Sequence, residues 1–111
     1  MEPRVHNIDL QVYRTPGAKV FTGRPRGLEV RNLSKIDSIE PQYDKITITI
    51  PSDISSINPS FLEEFLENVV VKLGEDGFYR KFSFINDGRY KIDSDLFEAI
   101  ERILRLENAL A

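Results

Sequence analysis

The chain has 111 residues, of which 41% are hydrophobic and 30% are charged, and its net charge is −3. This length and composition predict one globular domain over residues 1–111 and exclude a disordered chain or a membrane protein. The absence of cysteine excludes disulfides, thiolate metal sites and a cysteine nucleophile. The polar N-terminus lacks the apolar stretch of a secretory signal, so we expect a cytoplasmic protein.

Basic residues are concentrated near the start of the chain. Residues 1–35 hold seven Lys/Arg against three Asp/Glu, and residues 36–111 hold eight against fifteen. Such a split is compatible with an anion-binding face, with a dimer that joins unlike ends, or with a solvated surface. The isoelectric point of about 5.2 argues against a dedicated nucleic-acid binder.

Two extended segments and a helix are predicted first. Ile8–Tyr13 alternates apolar and polar residues, which is the period of a half-buried strand. Lys19–Phe21 resumes the extended chain after a turn, and residues 1–7 are expected to be flexible. A helix follows within residues 22–33. Its core-facing residues are predicted to be Leu28, Val30 and Leu33.

The clearest strand is Lys45–Ile50, in which isoleucines alternate with threonines. After a loop, Asn58 is predicted to cap a helix that reaches about Lys72 and stops at Gly74. The apolar residues of this helix recur at spacings of three and four, so its other face should meet water. The solvent-facing carboxylates are predicted to be Glu63, Glu64 and Glu67.

The last predicted elements are a short strand and a helix. Phe82–Asn86 is the strand, and either Asp93 or Asp95 caps the final helix. The order of elements predicts an α/β fold, with a small mixed sheet covered by two to three helices. It also predicts at least one parallel βαβ unit around the helix that begins at Asn58.

The residues offer little catalytic chemistry. His6 is the only histidine, which argues against a Ser/His/Asp triad and excludes a multi-histidine metal site within one chain. Glu63 and Glu67 lie one helical turn apart, but on the predicted solvent side. An enzyme that uses Ser60 or these carboxylates would lack a general base. We therefore expect no enzymatic activity and no cofactor.

The segment around Gly23, Arg24 and Arg26 is the best candidate for an anion site. Glycines expose backbone N–H groups, arginines add forked donors, and the start of a helix contributes its positive end. The segment matches neither a Walker loop nor a dinucleotide fingerprint. The alternative interpretation is a turn with exposed arginines.

The residues from Ile46 to Gly74 resemble the central strand, loop and helix of STAS domains, the anti-sigma-factor-antagonist fold. The strongest likeness is to the STAS-like branch of unknown function, through the strand Ile46–Ile50 and the run Ile57–Leu66. Gly23-Arg24, with Gly27 and Arg31, resembles the Gly-Arg segment that precedes the strand in that branch. The likeness covers roughly residues 17–105.

The resemblance implies a site at the start of this helix. In phospho-regulated STAS proteins, a partner kinase phosphorylates a serine that follows an aspartate. Asn58 takes the aspartate position, Pro59 takes the serine position and Ser60 follows, so the modified position is lost. Ser60 keeps a hydroxyl near the helix start, although it could simply form a capping box with Glu63.

The sequence therefore predicts a STAS-like, non-enzymatic regulatory module that binds a protein around Asn58, Pro59 and Ser60, on a surface that could include Arg24 and Arg26. The partner could be a kinase-like or ATPase regulator, and exposed sheet edges make a homodimer reasonable. Nucleic acid and membrane are not expected as partners. The alternative is a small-molecule or nucleic-acid binder that uses the basic N-terminal third.

Overall fold

A computed structural model describes residues 2–110 of the chain. Short strands alternate with helices along these residues, and 3-10 turns follow β1 and α2. The strands are β1 (Val5–Asp9), β2 (Val20–Phe21), β3 (Lys45–Ile50), β4 (Ser56–Ile57) and β5 (Phe82–Asn86). The helices are α1 (Arg24–Ser34), α2 (Ile36–Ile39), α3 (Pro59–Lys81) and α4 (Asp93–Leu110).

The main sheet has three parallel strands in the order β1-β3-β5. In its register Val5 lies beside Lys45, and Ile46 lies beside Phe82. The α/β class is confirmed, and so is the βαβ unit, which is β3-α3-β5. The prediction of a mixed sheet was wrong, because helices connect these strands and a helical crossover returns the chain in the same direction.

A second, two-stranded parallel sheet joins β2 to β4. β2 confirms the extended chain predicted at Lys19–Phe21, whereas β4 lies in residues predicted to be a loop. Two residues are too few to show a period, so β4 has no local signal.

The helices cover one face of the main sheet. α1 and α4 both pack against α3, which places the two crossovers on the same side. Ile46, Ile48 and Ile50 are buried toward these helices. On the open face, Asn7 Nδ2 donates hydrogen bonds to Thr47 Oγ1 at 2.7 Å and Thr49 Oγ1 at 2.9 Å. The molecule therefore has two layers, with a polar sheet surface.

The first strand begins at Val5 and ends at Asp9, so the predicted strand Ile8–Tyr13 was largely wrong. Asp9 Oδ1 accepts a hydrogen bond from the Gln11 N–H at 3.0 Å, which starts a 3-10 turn over residues 10–13. Residues 5–7, within the segment predicted to be flexible, pair with β3. Residue 1 lies outside the described residues.

The predicted helix within residues 22–33 is α1, but its buried face differs from the prediction. Leu28 is 41% exposed and Leu33 is 57% exposed, whereas Val30 is fully buried. Gly27 faces α3 so closely that an added Cβ would lie 2.3 Å from the Phe61 carbonyl oxygen. The buried stripe is Gly27, Val30 and Ser34, which is too poor in large apolar residues to stand out in the sequence.

Helix α3 extends beyond its predicted end near Lys72. Gly74 interrupts the helical geometry with φ 75° and ψ 172°, as its predicted role as a stop requires. Helical turns then resume as far as Lys81. Phe78 is fully buried and stacks on Phe82 with 4.7 Å between ring centroids, which accounts for the continuation.

The boundaries of β5 match the prediction, and α4 begins at Asp93, one of the two predicted positions. Buried side chains from the sheet and from α1, α3 and α4 form one core. Within residues 2–110, no helix is both long enough and apolar enough to cross a membrane.

Candidate functional site

The β2–β4 ladder brings together two segments that are far apart in the sequence. The Asn58 N–H donates to the Phe21 carbonyl at 2.8 Å, and the Ser55 N–H donates to the Lys19 carbonyl at 2.7 Å. Since α1 begins shortly after β2 and α3 shortly after β4, their N-termini lie side by side. The predicted anion-binding segment and the predicted partner-binding segment are thus neighbours.

Asn58 caps α3, as predicted. Its Oδ1 accepts hydrogen bonds from the Ser60 N–H at 2.9 Å and from the Ser60 hydroxyl at 2.8 Å. Asn58 is exposed, and Pro59 and Ser60 are partly exposed. All three predicted partner-binding residues are therefore accessible in the first turn of the helix.

The alternative role for Ser60 as part of a capping box with Glu63 was wrong. The Glu63 carboxylate turns away from the helix start and accepts from Arg24 and from Arg102, each at 3.2 Å. Glu63 is only 8% exposed, so the prediction that it faces water was also wrong. It joins α1, α3 and α4 at one point.

Arg24 and Arg26 lie at the start of α1 beside Gly23, but both guanidinium groups have protein acceptors. Arg24 contacts Glu63. Arg26 contacts Glu29 at 2.9 Å and donates to the Tyr13 carbonyl. An anion at this position would have to compete with these contacts, and the anion site stays a prediction.

A cleft of about 580 Å³ lies at the carboxyl ends of β3 and β5. In open α/β sheets, this edge is where ligands usually bind. The loop after β3 and the loop after β5 form its walls. Its lining residues are Ser52, Asp53, Ile54, Ser55, Asp87, Gly88, Arg89 and Tyr90.

Two interactions fix the walls of this cleft. Arg14 donates to both carboxylate oxygens of Asp53, each at 2.7 Å, and these hydrogen bonds lower the pKa of Asp53. The Tyr90 hydroxyl lies 2.6 Å from Asp95 Oδ2 and 3.1 Å from the Ile57 carbonyl. Burial, followed by the contact with Asp95, raises the pKa of Tyr90. The phenol thus ties the loop before α4 to the end of β4.

The side chains that were considered for catalysis have partners in the structure. His6 lies on β1, where its ring is 4.9 Å from the ring of Tyr43. The Ser60 hydroxyl has an amide oxygen as its partner, which does not act as a general base. In residues 2–110, no group of three or more His, Asp or Glu side chains is placed to hold a metal ion.

No local pattern in the sequence indicates the cleft. The turn-forming residues of both loops indicate only that strands end there. The loops after two neighbouring parallel strands lie together, because the carboxyl ends of such strands share one edge of the sheet. This relation could have predicted the cleft. That inference requires the order and direction of the strands, which the local sequence did not provide.

Comparisons of this chain with protein-family models, with curated proteins and with solved structures found no match.

Proposed function

We propose that this chain is a non-enzymatic, STAS-like regulatory module that binds a protein partner around the start of α3. The contact surface consists of Asn58, Pro59 and Ser60, with the adjacent start of α1 at Arg24 and Arg26. The module acts by occupancy, and its own residues make or break no covalent bond.

One observation carries this proposal. The β2–β4 ladder joins the starts of α1 and α3 into a continuous surface, although the sequence separates them. On that surface the first turn of α3 presents accessible side chains. The Ser60 N–H at the helix start already has a hydrogen-bond acceptor in Asn58 Oδ1. A preformed surface of this kind binds without the ordering cost of a flexible loop.

The proposal also draws on the resemblance to STAS domains. The strand Ile46–Ile50 lies at the centre of the sheet, and α3 begins after a short loop at the carboxyl edge. In the resemblance, these elements correspond to the central strand and the regulated helix. Ser60 occupies the turn where added negative charge is favourable, because the helix dipole is positive there.

The proposal can be tested by affinity purification from a lysate of the native host at low and high salt. The tagged wild-type protein is compared with Ser60→Glu and with the double variant Arg24→Ala/Arg26→Ala. Ser94→Glu is the matched control, since Ser94 is an exposed serine in the first turn of α4. Circular dichroism verifies that each variant is folded.

We expect a defined protein to be retained at both salt concentrations by the wild type and by Ser94→Glu, and to be lost with Ser60→Glu. Retention by all variants would place the partner elsewhere and contradict the proposal. Retention of nucleic acid or nucleotide alone, abolished by high salt or by the arginine variant, would favour the anion-binding alternative, because release of counterions makes such binding strongly salt-dependent.

A further inference from the structure

Strand β5 is an edge of the main sheet that lacks the usual protection. Edge strands in natural proteins commonly carry charges, prolines or bulges that block pairing with another chain. The other edge, β1, follows Pro3 and Arg4 and contains Asp9. In contrast, Phe82–Asn86 reads Phe-Ser-Phe-Ile-Asn and contains neither charge nor proline.

The backbone of this edge is available for pairing. Among residues 2–110, the strand residues 83–85 make backbone hydrogen bonds only through the ladder to β3. Each residue in a strand directs its N–H and C=O groups to one side, and neighbouring residues alternate. The outward-facing groups of β5 are therefore free to pair with an added strand.

Apolar surface accompanies this edge on both faces of the sheet. On the helix side, a cleft of about 300 Å³ opens between β5 and the start of α4. Its lining combines the aromatic and aliphatic side chains of Tyr79, Phe82, Phe84, Tyr90, Ile92 and Leu96 with the polar side chains of Asn86, Lys91 and Asp93. On the open side, Ile85 is 44% exposed. The alternating side chains of an added strand would cover the cleft on one face and Ile85 on the other.

The charges at the ends of β5 identify the occupant. Arg80 and Lys81 precede the strand, and Asp87 follows it. Lys81 is bound to buried Glu40, so, of the described residues, the exposed Arg80 is the free cation at this end. In antiparallel pairing of two copies centred on Phe84, Arg80 lies opposite Gly88 of the second copy, next to its Asp87. Ser83 then lies opposite Ile85 of the second copy. A parallel alignment would instead place like charges side by side, which is unfavourable.

We propose that β5 pairs antiparallel with β5 of a second copy, giving a two-fold dimer with a continuous six-stranded sheet. This interface lies along the side of the sheet and leaves the starts of α1 and α3 at the carboxyl edge accessible. It is therefore independent of the partner-binding surface proposed above.

The test is the molar mass in solution, measured by sedimentation equilibrium over a concentration series. Ile85→Lys introduces a charge on the edge, and Val5→Lys makes the same change on the opposite edge, where Val5 is 54% exposed. We expect the wild type and Val5→Lys to dimerise with similar dissociation constants. Ile85→Lys should weaken dimerisation at least about tenfold, because a charge on an edge strand opposes pairing.

Charge reversal provides a second test that leaves the strand unchanged. Asp87→Lys should weaken the dimer, since Arg80 of one copy would then lie next to a lysine of the other. Adding Arg80→Asp should restore part of the affinity by supplying an opposite charge. A wild type that is monomeric at every concentration overturns the proposal. So does a dimer that survives both Ile85→Lys and Asp87→Lys, or one that Val5→Lys disrupts equally.

Discussion

Glu40, in the 3-10 turn after α2, is 3% exposed and bound by two lysines. Lys72 and Lys81 each place Nζ 2.6 Å from one of its carboxylate oxygens. Burial alone would raise the pKa of Glu40, but the hydrogen bonds from the two lysines outweigh it and lower the pKa below its ordinary value. Ionised Glu40 therefore stabilises the fold above the pKa of the unfolded chain, and this stabilisation is lost as the pH falls through the folded-state pKa.

We expect Glu40→Gln to lower the free energy of unfolding at about pH 7 by roughly 1–3 kcal/mol. The reason is that the two lysines lose the charged carboxylate that accepts a hydrogen bond from each of them. The difference from the wild type should shrink as the pH falls through the folded-state pKa of Glu40, where the wild-type carboxylate itself becomes protonated. Urea unfolding followed by circular dichroism measures both values.

The control for this experiment is Glu101→Gln, at an exposed carboxylate 4.0 Å from Arg105. Surface ion pairs of this kind contribute little, so its stability should follow that of the wild type. A Glu40→Gln deficit that widened on acidification would contradict the assigned role of the carboxylate.

Buried ion pairs also mark where prediction at the level of single residues fails. Helical spacing correctly indicated the apolar stripe of α3, but it grouped Glu63 with Glu64 and Glu67 on the wet side. The burial of Glu63 depends on Arg24 and Arg102, which come from other helices. No local pattern reports partners at that separation, whereas the Asn58 cap is local and was predictable.

Among the elements, α1 and α3 approach each other closely at Gly27. Gly27 has no side chain, and this allows α1 to lie against the backbone of Phe61. Gly27→Ala should lower the free energy of unfolding by about 1–3 kcal/mol or more, because the carbonyl beneath it must move. It should also disturb the surface shared by the two helix starts. Chemical denaturation gives the first effect, and affinity for the captured partner gives the second.

Asn32→Ala is the matched control on the exposed face of the same helix. Alanine has the higher helix propensity there, so this variant should be as stable as the wild type or slightly more so. If Gly27→Ala were equally neutral, the close packing of α1 on α3 would be wrong.

Elements with strong and continuous patterns were predictable, and short or polar ones were not. β3 and β5 carry clear strand signals, and α4 begins at Asp93, one of the two aspartates predicted near its start. The first strand was predicted too far along the chain, because Ile8–Tyr13 alternates apolar and polar residues as a strand does. In the structure the Asp9 side chain accepts a hydrogen bond from the Gln11 N–H, which turns the chain and ends the strand. β4 forms because β2 lies beside it and pairs with it, so it depends on tertiary structure and not on its own sequence.

For the whole molecule, one core predicts one cooperative unfolding transition. Buried residues from β1 to α4 belong to a single cluster, and small domains of this kind unfold in an all-or-none manner. The chain has four tyrosines and no tryptophan, so tyrosine fluorescence reports tertiary structure and far-ultraviolet circular dichroism reports helix content. The two probes should give coincident urea transitions. Separate midpoints would indicate two units that unfold independently.

The candidate site shows the same division at this scale. The sequence indicated the residues at the starts of α1 and α3, but their adjacency depends on the two-residue ladder between β2 and β4. The cleft between the loops after β3 and β5 depends on the parallel order of the sheet. Both are properties of the assembled fold, so the local sequence could supply the residues without their arrangement.

The parallel sheet also determines how the chain can begin to fold. Val5 pairs with Lys45, and Ile46 pairs with Phe82, so every ladder in the main sheet joins residues that are distant in sequence. No hairpin within residues 2–110 can nucleate this sheet, and pairing between such distant strands is intrinsically slow. During synthesis, β1 has no strand to pair with until β3 has left the ribosome. We therefore expect helical structure to form first and the sheet to assemble on it afterwards.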